Sequence, residues 1–190
     1  MAVTPQRMSL AEFLKLPEAK PALELRRGMV SQKVPPKLSH AVIQVWFASQ
    51  VDRFAMPRKL ARSASECRII LDEETYVPDV IVFRWDRIPE DENGQVPEDV
   101  YIAPDLALEI LSPGQTVQSA LERARELVAH GVTVVILADP RRQTVRVIRA
   151  SGEAGPLRGD EPIDLADVLP DFKMTVNGLF ICLRARPEID

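Results

Sequence analysis

The sequence predicts a mixed α/β fold, on three observations. Branched apolar runs at residues 106–111 and 132–138 read as strands, and residues 117–130 between them read as an amphipathic helix ended by Gly131. Strand, helix and strand in so short a span form a right-handed crossover with parallel strands. The turn Asp139-Pro140-Arg141-Arg142-Gln143 then leads into an antiparallel strand at 144–148, which makes the sheet mixed. With 190 residues, one domain over 1–190 is expected, since a domain commonly takes about 100–200.

The remaining elements follow in chain order. Ser9-Leu10-Ala11-Glu12 fits a capping box, so a short helix should run to about Leu16 before Pro17. Residues 23–25 and 29–31 read as a hairpin about Arg26-Arg27-Gly28, where Gly28 adopts positive φ at little cost. After Pro35-Pro36 a longer helix should start near Ser39 and close at Pro57, with Val42, Val45, Trp46 and Phe54 facing inward. Residues 67–71 and 79–83 have strand composition and are separated by the turn Asp72-Glu73-Glu74-Thr75. Residues 85–103, with two prolines and an acidic glycine-containing run, read as a mobile loop long enough to cover a site. The run 132–138, apolar on both faces, should be the central strand. Residues 151–160 read as a glycine-rich loop, and 165–180 as a closing short helix or two.

Hydrophobic residues at 46% and charged residues at 27% are those of a globular protein. No apolar stretch approaches the roughly 18 residues that span a bilayer, the N-terminus lacks an apolar export core, and Cys67 and Cys182 form no disulfide framework. A cytoplasmic protein without membrane contact is expected. A net charge of −4 opposes coating of nucleic acid by bulk electrostatics and leaves only local basic clusters: Arg58, Lys59 and Arg62; Arg123 and Arg125; Arg141 and Arg142. Phosphate-loop, serine-hydrolase, dinucleotide and zinc motifs are all missing, and His40 and His130 read as structural, His130 through the end of its helix.

Strand parity singles out two acids. Asp79, Ile81 and Phe83 share one face, and so do Asp105, Ala107, Glu109 and Leu111. Glu109 interrupts an apolar strand, where an ionised carboxylate costs several kcal/mol without a partner. Mg²⁺ is one such partner, because one or two carboxylates plus water suffice to hold it. An edge position or an arginine would serve Glu109 equally, Asp79 after Pro78 fits a residue that merely opens a strand, and Glu24 either joins the site or stays exposed on the hairpin.

The blocks Leu23-Glu24-Leu25-Arg26-Arg27-Gly28, Val77-Pro78-Asp79-Val80 and Ala103-Pro104-Asp105-Leu106-Ala107-Leu108-Glu109-Ile110-Leu111-Ser112-Pro113, with Gly131-Val132, Ala138-Asp139-Pro140 and Val168-Leu169-Pro170-Asp171-Phe172, resemble in order those of the Uma-two family of bacterial putative restriction endonucleases. The family belongs to the PD-(D/E)XK nuclease superfamily. The resemblance implies a restriction-endonuclease-like mixed β-sheet flanked by helices and an Mg²⁺ (or Mn²⁺) dependent hydrolase of DNA phosphodiesters, acting as a homodimer. It implies Asp79 and Glu109 as metal ligands, joined by the main-chain carbonyl of Ile110 and assisted by Glu24.

The sequence departs from that pattern at the lysine. Leu111 stands where the superfamily expects it, and Arg123, eight residues before Gly131, stands where relatives carry it on the following helix. Arginine offers charge and bidentate phosphate contact but does not readily release a proton. Arg123 lies on the edge of the inner stripe of its helix, roughly 40–60° from Ala120 and Leu127 at about 100° per residue. Arg125 flanks the other edge, so both are candidates for DNA contact and geometry alone does not choose between them. Two functions are therefore expected as alternatives: a metal-dependent endonuclease, or a catalytically degenerate nuclease fold that binds DNA or a protein partner.

Overall fold

The computed structural model describes residues 7–186. Helix α1 (Leu10–Phe13) starts at Ser9, whose side chain and the Glu12 carboxylate cap each other's backbone N–H groups. Strands β1 (Leu23–Arg26) and β2 (Met29–Gln32) pair in a hairpin whose two turn residues, Arg27 and Gly28, both have positive φ. That turn matches the right-handed twist of the strands it joins. Helix α2 (Leu38–Ala55) follows.

A six-stranded sheet forms the centre, built from β3 (Ala61–Ser65), β6 (Val80–Arg84), β7 (Leu106–Ile110), β8 (Val134–Asp139), β9 (Thr144–Arg149) and β10 (Gly152–Leu157). Its order is β10-β9-β8-β7-β6-β3. Only β7 and β8 run parallel, joined through α3 (Val117–Ala129) as the crossover pattern predicts. Every residue of β8 is buried. A separate two-stranded ribbon holds β4 (Ile69–Leu71) and β5 (Glu74–Tyr76), and α4 (Val176–Phe180) runs into a short 3-10 turn (Ile181–Leu183) near the end of the described chain.

Side chains alternate between two cores. Val80, Val82, Leu106, Leu108 and Ile110 meet α2 and the C-terminal segment on one face, while Ile81, Phe83, Ala107 and Leu111 meet α3 and the ribbon on the other. Asp79 and Glu109 have the parity of the second face, on the side of α3.

Four expectations need correction. Helix α2 buries Ile43, Phe47, Val51 and Ala55, whereas Val45 is 70% exposed and Trp46 lies on the flank, donating Nε1–H to the Gly178 carbonyl. The helix is apolar over so much of its circumference that two stripes fit a 3.6-residue period, and only the sheet selects one. Residues 67–71 do not join the main sheet: its edge is β3, a run of mixed polarity with one fully buried residue, Ala61, and β4 pairs with β5 instead. The 151–160 segment contains β10, which pairs with β9 despite its glycines. The 85–103 loop does not cover the acids; it bridges to β4 through Val100 and lines an apolar pocket beside Ile81 and Phe83.

Candidate active site

The site arises where β6 and β7 begin to separate. Their antiparallel register, Val80↔Leu108 and Val82↔Leu106, carried one step further sets Asp79 opposite Glu109. In place of a backbone ladder bond, the Asp79 Oδ2 accepts the Ile110 N–H at 2.7 Å. This clamp fixes the carboxylate across the strand pair. His40, one turn into α2, places Nε2 3.1 Å from the same oxygen. Lys33, just past β2, donates from Nζ to Asp79 Oδ1 and to the Val77 carbonyl, each at 2.8 Å. Glu66 completes this side, 3.4 Å from Lys33 Nζ and held by Gln44 at 2.6 Å.

Glu109 meets an arginine, as one of the expected alternatives has it, and β7 is not an edge strand. Arg123 donates Nε–H to Glu109 Oε1 at 3.0 Å and both terminal nitrogens to the two oxygens of Glu24 at 2.7 Å. Glu24 is thus buried and also accepts the Val77 N–H at 2.6 Å. The Tyr76 ring lies beneath the guanidinium, 5.5 Å from its centroid. Arg125 is not brought to the site: its guanidinium is half exposed and pairs with Glu153 of β10 at 2.6 Å. His130 bridges to Asp72 at 2.9 Å, tying the end of α3 to the ribbon.

Electrostatics separates the two acids. Burial pushes the Asp79 carboxyl upward, but the His40 hydrogen bond and the Lys33 charge outweigh it and hold the group below its usual range. Burial pushes Glu109 up to about 7; Arg123 opposes the rise, and the nearby Asp79 charge adds to it. For Lys33, burial favours the neutral amine, yet Asp79 and Glu109 outweigh it and keep the ammonium charged above its ordinary range. Burial works against the Arg123 charge too, but Glu109 and Glu24 hold it firmly protonated.

These groups line a cavity of about 160 Å³. Ligand atoms of His40, Glu66 and Asp79 lie within 4.8 Å of one another and could hold a metal ion. The group fits a hard divalent cation, since two of its three donors are carboxylates; Glu109 lies outside it, with its Oε1 bonded to Arg123. His40 and Lys33 were not read from the sequence as site residues. Their only signal is proximity to the Pro35-Pro36 corner, which carries no periodicity; contact with Asp79 depends on how the hairpin and α2 pack against β6.

The mixed six-stranded sheet and its flanking helices have a counterpart among solved structures. The chain superimposes with a TM-score of 0.87 on a structure described as a putative nuclease belonging to DUF820 from Anabaena variabilis ATCC 29413, with 34% sequence identity over 93% of this chain and 99% of that one. Its sequence matches the Uma2 family, described as a putative restriction endonuclease, over residues 10–177, and the chain belongs to that family. No curated protein matches it. Among the described residues, no helix is long and apolar enough to cross a membrane.

Proposed function

We propose that this protein is an endonuclease that hydrolyses DNA phosphodiester bonds with Mg²⁺ or Mn²⁺ held by Asp79 and Glu109. The observation that carries the reading is the convergence of these two carboxylates from neighbouring antiparallel strands on one cleft beside a lysine ammonium. The main-chain carbonyl of Ile110 is the further ligand in this reading. A divalent ion bound there supplies Lewis acidity toward a phosphoryl oxygen and makes water a better nucleophile at neutral pH. The chain's own residues do the positioning. His40 and the Ile110 N–H orient Asp79, while Arg123 fixes the Glu109 rotamer and pairs with Glu24 behind it. With a net charge of −4, DNA must be held by local cations rather than by the whole surface. Arg125, exposed at the α3 edge, is a candidate for such contact outside the cleft.

The test is nicking of supercoiled plasmid with Mg²⁺, Mn²⁺ or EDTA by wild type and Glu109→Ala, with circular dichroism to verify folding. Metal-dependent cleavage that Glu109→Ala abolishes is expected. Arg123 in place of the relatives' lysine favours a second reading, a DNA-binding protein without catalysis. Folded wild type that shifts the plasmid in a gel but leaves it uncut with either metal would establish that reading and overturn the first.

A further inference from the structure

We infer that Lys33 is the catalytic cation of this site, acting from the end of β2 where the α3 arginine cannot; the inference rests on the nuclease reading above. A phosphodiester entering a cleft lined by Glu24, Glu66, Asp79 and Glu109 needs a positive group with a donor to spare. The lysine and arginine side chains lining the cleft are Arg26, Lys33 and Arg123. Arg123 is pinned behind the acids, with each guanidinium nitrogen bonded to Glu109 or Glu24 and the side chain 10% exposed. Arg26 is turned toward Glu126 on α3, which also pairs with Arg27. Lys33 alone of the three touches Asp79.

Its tether has the required form. The Lys33 backbone N–H is bonded to the Ala22 carbonyl at 2.9 Å, and Nζ is held by the Val77 carbonyl independently of Asp79. If a metal ion were held by Asp79, Nζ would lose that one acceptor and keep the Val77 carbonyl and the more distant Glu66 carboxylate. The ammonium then remains at the cleft with an N–H free for a phosphoryl or attacking oxygen. In the hydrolysis, the water oxygen forms a bond to phosphorus and the bond from phosphorus to the leaving oxygen breaks. The water gives a proton to solvent, and the leaving oxygen takes one from solvent. Lys33 stays protonated throughout, donating a hydrogen bond to the oxygen on which charge builds.

Because a metal held by Asp79 would compete with Nζ for that carboxylate, removing the ammonium should move binding and catalysis in different directions. For Lys33→Met, Mg²⁺ affinity measured by calorimetry without DNA is expected to be unchanged or tighter. Its kcat on plasmid is expected to fall by about 10²–10³-fold, the usual cost of one lost charge-stabilising donor, with KM nearly unchanged. Lys33→Arg, which keeps the charge, should retain part of the rate and is measured alongside should the methionine variant fail to fold. Wild type that cleaves together with a folded Lys33→Met that cleaves equally would overturn the role of Lys33 while leaving the nuclease reading intact. Loss of Mg²⁺ binding in Lys33→Met would make Lys33 a support for Asp79 and overturn it as well. Wild type without cleavage would overturn the nuclease reading itself.

Discussion

Replacing Arg123 by methionine would remove the guanidinium that bonds two buried carboxylates while keeping most of the side chain's apolar volume. Glu24, Glu109 and Arg123 have side chains 7%, 11% and 10% exposed, so little water reaches the hydrogen bonds that would be lost. Breaking such a buried ionic group from one side costs about 3–5 kcal/mol, because it strands uncompensated charge. With a urea m-value of about 2 kcal/mol/M for a chain of this size, the unfolding midpoint should drop by roughly 1.5–2.5 M. The loss should depend on pH. Without Arg123 the folded-state pKa of Glu109 rises further above its ordinary 4.5, so the deficit is largest at pH 8 and shrinks toward pH 5 as the Glu109 carboxyl takes up its proton. The triple variant Glu24→Gln, Glu109→Gln, Arg123→Met, which removes every charge of the group, should recover much of the stability. Urea denaturation at pH 5 and pH 8 measures all of this. A deficit under 1 kcal/mol at pH 8, or one that grows toward pH 5, would refute the view that Arg123 is held as counter-charge to two buried acids.

Two further expectations concern the metal and the core. Glu109 in the folded chain protonates at about 7, and a metal requires the carboxylate, so Mg²⁺-induced thermal stabilisation should be greater at pH 8 than at pH 6 and should disappear in Asp79→Asn; equal stabilisation at both pH values would contradict Glu109 as a ligand. Phe47→Ala should cost about 3–5 kcal/mol in urea denaturation, whereas Val45→Ala, two residues away on the exposed side of α2, should change stability by less than about 0.5.

The periodic elements were legible because periodicity is a local property of the chain. The crossover unit, the central position of the 132–138 run and the shared face of Asp79, Ile81 and Phe83 all follow from spacing between near neighbours. Burial of Glu109 was likewise implied by the apolar residues around it, and with it the need for a compensating group. What compensates it was not legible. Arg123 and Arg125 are equivalent by helical angle, and only the packing of α3 beside the hairpin turns one toward Glu24 and leaves the other to Glu153. The inward stripe of α2, the edge strand β3 and the arrival of Lys33 and His40 at Asp79 share that origin. Each depends on which surfaces meet through space, between residues whose separation along the chain leaves no repeating pattern. Sequence by itself therefore determined the central strands, the longer helices and the acids that needed partners; the tertiary structure decided the sheet edges and which partners those acids received, because charge neutralisation inside a core is settled by proximity in three dimensions.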